Sequence, residues 1–301
     1  MKAVQFSRFG GPEVLEIVTV PDPHPGEGEV RVAVRAVGIN PVDWKLRKGQ
    51  MGGELPMRTG REVAGVVDEI GPGVTDVGPG DEVFGFAAEG AGAAEFALLR
   101  DYARIPPSLD AIAAAGLPVA VETAVRTLDA VGVGEGTTVL INGAAGAVGS
   151  AAVQIAVARG ARVIGTASAT NHEYLRSLGA ESTTYGDGLV ERVREIVPGG
   201  IEAALDAAGH GALPALVELA GSPQRVVTIA DYLGAQQTGA TFSGGMGEGR
   251  ALHALSEIGE LIEAGAFTLP VAQTFALHQI AEAHEASETG HARGKLVLVI
   301  D

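Results

Sequence analysis

Short apolar, β-rich segments make up the first part of the chain, in the runs MKAVQF, VLEIVTV, EVRVAVRAVGI, EVAGVVDEIG, DEVFGF and AEFALL. Separators rich in Gly and Pro, such as PDPHPGEGE and GPGVTDVGPGD, supply tight turns, so this half reads as a β domain. From about Leu117 the texture changes: apolar runs (TTVLING, ARVIGTAS, QRVVTIAD) alternate with stretches of helical length (AVGSAAVQIAVARG, NHEYLRSLGA). Strands alternating with helices predict βαβ units around a parallel sheet. The last stretch, FTLPVAQTFAL, HQIAEAHEASETGHA and KLVLVI, returns to strand, helix and strand. Periodicity alone leaves open which domain it joins.

Residues 137–168, TTVLINGAAGAVGSAAVQIAVARGARVIGTAS, hold the most informative motif. An apolar strand ends at Asn142, a turn carries Gly143, Gly146 and Gly149, and an apolar helix opens at Ala147. Glycines at this spacing let one backbone approach another, and the unpaired N–H groups of the helix start face an anion. With a second strand at the right distance, the arrangement predicts a pyrophosphate cradle and hence dinucleotide binding; a plain strand-to-helix turn is the lesser reading.

The end of that second strand chooses the nucleotide. Sites for NAD place an Asp or Glu there to accept from the adenosine ribose hydroxyl. In ARVIGTASATNHEYL no acid precedes Glu173, and Ala167, Ser168 and Asn171 form a neutral pocket that tolerates a 2′-phosphate. NADPH is the expected cofactor.

Composition narrows the chemistry. None of the 301 residues is Cys, which removes disulfides, thiolate zinc sites and a cysteine nucleophile. Lys and Arg number 21 against 37 Asp and Glu, and the net charge of -16 opposes nucleic acid or an anionic membrane as a partner. No signal-peptide pattern and no apolar run of spanning length stand out, so a cytoplasmic protein is expected.

MKAVQFSRFGGPEVLEI, AVGINPVDWKLRKG, GREVAGVVDEIGPGV, GDEVFGF, LPVAVETAVRTL, NGAAGAVGSAAVQIA, LRSLGAE, LDAAG and AEAHEASETGHARGKLVLVI follow one another along nearly the whole chain. In this order they resemble the medium-chain dehydrogenase/reductase superfamily, and within it the zinc-free quinone oxidoreductase branch. The resemblance implies an α/β protein in which a GroES-like β domain (1–117 with 266–301) carries an inserted Rossmann domain (118–265) with a doubly wound parallel sheet. It also implies an active site in the cleft and a homodimer, for which the run 240–243 is the candidate edge strand.

Zinc-dependent relatives carry Cys where this chain has Asn40 and His where it has Arg61. A guanidinium is a poor ligand for a cation, so no metal is expected. Without a Lewis acid an alcohol is hard to deprotonate at neutral pH. The expected reaction is therefore hydride delivery from NADPH to an activated acceptor, a quinone or an α,β-unsaturated carbonyl. A 2-enoyl-thioester or alkenal reductase and a non-catalytic NADPH-binding sensor are the rival readings.

Residue by residue, the resemblance implies Asn40 and Asp43 beside the nicotinamide, with Lys45 as a third catalytic candidate, and Thr123 near the nicotinamide ribose. It implies Gly146, Ala147, Val148 and Gly149 at the phosphates, and Ser168, Asn171 and Tyr185 around the adenosine phosphate. Ala208, Ile229 and Phe242 complete the cofactor set, with Lys295 as a basic residue reaching the cofactor. Many quinone reductases have Tyr in place of Lys45, and close relatives have Arg or Lys in place of Thr170.

Other polar groups have blander readings. Lys45, Arg47, Lys48, Arg58 and Arg61 form a basic stretch that either flanks the cleft or is solvated. His172 and His284 do not begin HExxH and read as solvated helix residues; His291 is a candidate for the cofactor phosphate or for a helix C-terminus. Asp206 is expected to cap the turn after its strand, and Glu62 to pair with Arg61 or Arg58. Lys45, Tyr232 or solvent would return the proton to the reduced acceptor.

Overall fold

In the computed structural model, which describes residues 1–245, 249–290 and 292–300, the β-rich runs become strands. His291 lies outside the described residues. The chain divides into two units: Met1–Val119 with Leu255–Glu263 and Leu269–Asp301, and Ala120–Ala254 with Ala264–Thr268.

The first unit contains β1 (Lys2–Phe6), β2 (Glu16–Thr19), β3 (Val30–Ile39), β4 (Met57–Arg58), β5 (Glu62–Ile70), β6 (Glu82–Ala87) and β7 (Phe96–Arg104). β3 pairs with β5, β5 with β6, β6 with β7, and β7 returns to β3, all antiparallel, so these four strands close on themselves. Along β3, Val30, Val32 and Val34 are buried, whereas Arg31 reaches Asp68 and Glu69. A register shift between Val34 and Ala36 breaks the alternation, and Ala36 through Asn40 are all buried. The strand thus leaves the solvent-facing pattern just before it delivers Asn40.

The second unit contains β8 (Thr138–Asn142), β9 (Arg162–Thr166), β10 (Glu181–Thr183), β11 (Ala203–Asp206), β12 (Val226–Thr228) and β13 (Thr241–Phe242). All pair in parallel, in the order β10-β9-β8-β11-β12-β13. Numbered within the sheet this is 3-2-1-4-5-6, the doubly wound order whose ligand crevice opens where the strand sequence reverses, between β8 and β11. The helix Ala147–Ala158 is buried from Gly149 to Ala156, which small side chains permit.

The tail returns to the first unit. β14 (Val271–Ala276) lies parallel to β15 (Lys295–Val299), and β15 pairs antiparallel with β3 through Leu296–Ile39 to Val299–Ala36. The sequence reading puts residues 255–263 in the inserted domain, but in the structure they group with the first unit. There Glu263 accepts hydrogen bonds from the N–H and hydroxyl of Ser108 at 3.2 and 2.7 Å. The stretch Ala111–Ala130 is, contrary to expectation, long and apolar enough to cross a membrane by length and composition; 72% of its apolar window is buried within the fold, which accounts for that apolarity.

Candidate functional site

In the second unit, β8 ends at Asn142 and the chain turns sharply at Gly143, whose φ of 78° is left-handed. A Cβ at Gly143 would lie 2.7 Å from the Ala208 Cβ, and one at Gly149 would lie 2.2 Å from the Gly143 carbonyl oxygen. Glycine at these two positions is what lets the turn, the next loop and the helix start approach one another. The Gly146 N–H is spent on the Gly143 carbonyl at 3.1 Å. This leaves the first-turn N–H groups of Ala147, Val148 and Gly149, which lack intrahelical partners, as the donors for an anion.

Beyond β9, Ala167 is buried. Ser168 Oγ lies 3.0 Å from Thr170 Oγ1 and accepts from Asn171 Nδ2 at 3.1 Å, so these three residues form one neutral hydroxyl and amide cluster. His172 is half-buried rather than solvated, with Nε2 3.3 Å from the Ala167 carbonyl. Tyr185 is 60% exposed in the turn after β10, a turn gathered by Arg192 through the Thr184 and Asp187 carbonyls at 2.9 and 2.7 Å. Ala208 and Ile229 follow β11 and β12, with the Ala208 N–H on Asp206 Oδ1 and the Ile229 N–H on the Asp206 carbonyl. Thr123 is buried, 3.4 Å from Arg126, whose Nη1 bonds Ser243 next to Phe242. Phe242 stands on the edge strand β13, edge-on to Tyr232 at 5.2 Å.

The catalytic candidates lie in the first unit, and two of them, Asn40 and Asp43, are deep in a polar network. The Asn40 N–H donates to Asp43 Oδ2 at 2.8 Å, and Asn40 Nδ2 donates to Glu62 Oε1 at 2.8 Å. Lys295 Nζ donates to Asn40 Oδ1 at 2.7 Å and to Glu62 Oε1 at 2.6 Å, while Glu62 Oε2 accepts the Val119 N–H at 2.7 Å. Asn40, Asp43, Glu62 and Lys295 are all 4% exposed or less. Burial pushes the Asp43 carboxyl up to about 6, against the opposing bond from the Asn40 N–H and the charge of Arg61. Glu62 therefore pairs with Lys295, not with Arg58; Arg58 instead reaches Glu89 at 3.5 Å.

The basic stretch does not converge. Arg47 is fully buried and, with Lys48, bonds Glu288, while Lys45 is half-buried with Nζ 5.7 Å from the Trp44 ring centre. His284 is also fully buried, not solvated: it lies on the inner face of the helix Ile280–Thr289, and neither ring nitrogen has a hydrogen-bond partner among the described residues. Burial, reinforced by the Arg47 charge, holds its pKa down to about 4. Asp206 does cap the following turn, accepting from the Ala208 and Gly209 N–H groups at 3.2 and 2.8 Å.

Zinc does not fit the Asn40 neighbourhood. An ammonium already occupies the Glu62 carboxylate and the Asn40 carbonyl, and Arg61 adds a second positive charge there. Among the described residues no group of three or more His, Cys, Asp or Glu could hold a metal ion. A dinucleotide does fit the second unit, whose glycine cradle would be filled by a single Cβ at position 149.

A doubly wound unit of the nucleotide-binding kind and a small closed β unit in one chain define a class of dehydrogenases and reductases. The family model described as the alcohol dehydrogenase GroES-like domain matches residues 26–106, and that described as zinc-binding dehydrogenase matches residues 178–298. The chain is 38% identical over 196 residues to the chloroplast envelope quinone oxidoreductase homolog of Arabidopsis thaliana, a match spanning 60% of each protein. It is 32% identical to the NADPH-dependent alkenal/one oxidoreductase, chloroplastic, of the same plant, over 99% of this chain and 79% of that protein. The solved quinone oxidoreductase from Coxiella burnetii superposes with a TM-score of 0.86 at 30% identity, covering 100% of this chain and 99% of that one. A structure described as an NAD-dependent alcohol dehydrogenase gives 0.87 at 29% identity, covering 100% of both chains. The chain belongs to the medium-chain dehydrogenase/reductase superfamily, in its quinone oxidoreductase branch.

Sequence reasoning missed the Lys295–Glu62 pair, the burial of Arg47 and His284, and the residues Asn142, Thr166 and Thr228. A signal for the last three was present: each is the first polar residue after an apolar strand run.

Proposed function

We propose that this protein is an NADPH-dependent, metal-independent reductase of quinones or α,β-unsaturated carbonyls. The observation that carries the reading is the Gly149 contact, where helix, turn and strand leave no room for a Cβ and present three first-turn N–H groups to a phosphate. When bound, NADPH would supply a hydride to the acceptor, which would also take up one proton. The chain's own part is to bind and orient. Ala147, Val148 and Gly149 would hold the pyrophosphate, and the neutral cluster of Ser168, Thr170 and Asn171 would receive the 2′-phosphate without opposing charge.

Asn40 would act from a fixed orientation, since Lys295 and Glu62 hold both ends of its amide. Such pre-set dipoles and exclusion of water can carry much of the acceleration when the cofactor does the bond-making. Similarity over 99% of this chain to a protein named as an alkenal/one oxidoreductase supports enones and alkenals as acceptors here, alongside quinones. The reading extends to a cytoplasmic homodimer joined through β13. Among the described residues that strand has a neighbour on one side only; its own Phe242 is 39% exposed, and Tyr232 and Leu233 in the preceding helix are 55% and 66% exposed.

Titration with NADPH and NADH, followed by product analysis with one quinone and one enone, tests this. Tighter binding of NADPH and a saturated ketone from the enone are expected. Equal or tighter binding of NADH, or bound NADPH that reduces nothing, would overturn it.

A further inference from the structure

Four adjacent strands of the parallel sheet each end in one polar residue: Thr166 on β9, Asn142 on β8, Asp206 on β11 and Thr228 on β12. Their register sets them in a single row, Thr166 opposite Asn142, Asn142 opposite Asp206, and Asp206 opposite Thr228. All four are 3% exposed or less. The side chains bond end to end. Thr166 Oγ1 donates to Asn142 Oδ1 at 2.6 Å, Asn142 Nδ2 to Asp206 Oδ1 at 2.9 Å, and Thr228 Oγ1 to Asp206 Oδ2 at 2.8 Å.

The same row anchors the loops that leave these strands. Thr166 Oγ1 accepts the Gly143 N–H at 3.2 Å, at the start of the glycine turn. Asp206 Oδ1 accepts the Ala208 and Gly209 N–H groups, and Thr228 Oγ1 accepts those of Ala230 and Asp231, both at 3.1 Å. A hydroxyl has one proton and two lone pairs, and Thr228 uses all three. Asp206 takes donors on both oxygens, which an amide cannot do.

Charge does not explain Asp206. It is fully buried, its hydrogen-bond partners among the described residues include no cation, and it lies in the strand next to the turn that would receive a pyrophosphate, which its negative charge opposes. Its geometry does explain it. The row crosses the point where strand order reverses, and its bonds fix the loops after β8, β11 and β12 in one relative arrangement.

We propose that the Thr166–Asn142–Asp206–Thr228 row is a positioning element that presets the loops of the dinucleotide site, with Asp206 at its centre. The proposal rests on the dinucleotide-binding reading above. Asp206 acts through the loops, so it is a positioning residue and not a catalytic one.

Asp206→Asn separates geometry from charge. On charge alone, removing a buried anion would tighten NADPH binding. In the row, the new NH₂ must face either the Thr228 hydroxyl proton or the backbone N–H groups, so binding weakens. Isothermal titration should show the NADPH dissociation constant rising about tenfold or more in Asp206→Asn and in Thr228→Val, with Thr228→Ser within about threefold of wild type. Hydrogen exchange at Gly209, Ala230 and Asp231 should quicken in the two weakened variants. Val139→Ala, a core truncation at the start of β8, should lower stability while leaving affinity and these amides unchanged.

Should Asp206→Asn not fold, the Thr228→Val and Thr228→Ser pair decides the matter. Asp206→Asn or Thr228→Val binding NADPH as tightly as wild type, or Val139→Ala losing as much affinity as they do, would overturn the proposal. A wild-type protein that binds no dinucleotide would instead fail the functional reading, and the row's role with it.

Discussion

Lys295 Nζ sits 2.6 Å from Glu62 Oε1, with the two side chains 3% and 0% exposed, although 233 residues separate them. The bond joins the last strand to β5, and Asn40 lies across it, donating to Glu62 and accepting from Lys295. Removing one member of a buried ion pair strands the other charge, at a cost of ~3–5 kcal/mol. Lys295→Met and Glu62→Gln should each destabilise by that amount, and the double variant by less than the sum. Urea unfolding of the four proteins measures this; additive losses would mean that the pair carries no coupling.

Two buried groups pull the pH profile in opposite directions. The Asp43 carboxyl, raised by burial from 3.8 to about 6, keeps its proton in the folded chain where the unfolded chain has lost it. Its contribution to stability is full below pH 3.8 and is lost as pH rises through about 6. His284, lowered by burial from 6.5 to about 4, stays neutral where the unfolded chain is protonated. Its contribution is present above pH 6.5 and is lost as pH falls through about 4. Each amounts to at most ~3 kcal/mol. Asp43→Asn should steepen the loss of stability between neutral and acid pH, and His284→Leu should flatten it. Thermal unfolding of both variants across that range checks the signs; parallel curves for all three proteins would refute them.

Gly149→Val should abolish NADPH binding while the first unit stays folded. The added Cβ would meet the Gly143 carbonyl oxygen at 2.2 Å and the Ala144 Cα at 2.7 Å, and both are backbone atoms that cannot swing aside. Circular dichroism with NADPH titration distinguishes this from general unfolding; unchanged affinity in the folded variant would show the cradle to be misassigned.

Thr170→Arg should sharpen the choice of nucleotide. Thr170 lies within 3.0 Å of Ser168 Oγ in a cluster that contains no cation. A charged donor to a 2′-phosphate contributes ~1.5–3 kcal/mol, so NADPH should bind about tenfold tighter or better while NADH changes little. Equal gains for both nucleotides would indicate nonspecific attraction to a cation.

Some of this was legible in the chain and some was not, for physical reasons. The glycine turn is readable because Gly143, Gly146 and Gly149 sit within seven positions of one another between an apolar strand and an apolar helix. Asp206 as a turn cap is readable for the same local reason. The fate of Lys295 is not. The family resemblance implies a basic residue reaching the cofactor there; its bonds to Asn40 and Glu62 come from the pairing of β15 with β3, which nothing local in the sequence announces. Arg47 and His284 are misread because each lies on the inward face of a short helix in a polar stretch. Only the tertiary packing that buries those faces puts the guanidinium against Glu288 and encloses the imidazole.

Reduction by NADPH without a metal is the proposed reaction. The most direct measurement follows NADPH oxidation by the untagged protein, treated with a zinc chelator, against a panel of quinones and enones. Oxidation should depend on the acceptor, proceed faster with NADPH than with NADH, and be unchanged by the chelator. Tight NADPH binding with no acceptor reduced, or activity that disappears with the chelator and returns with zinc, would contradict it.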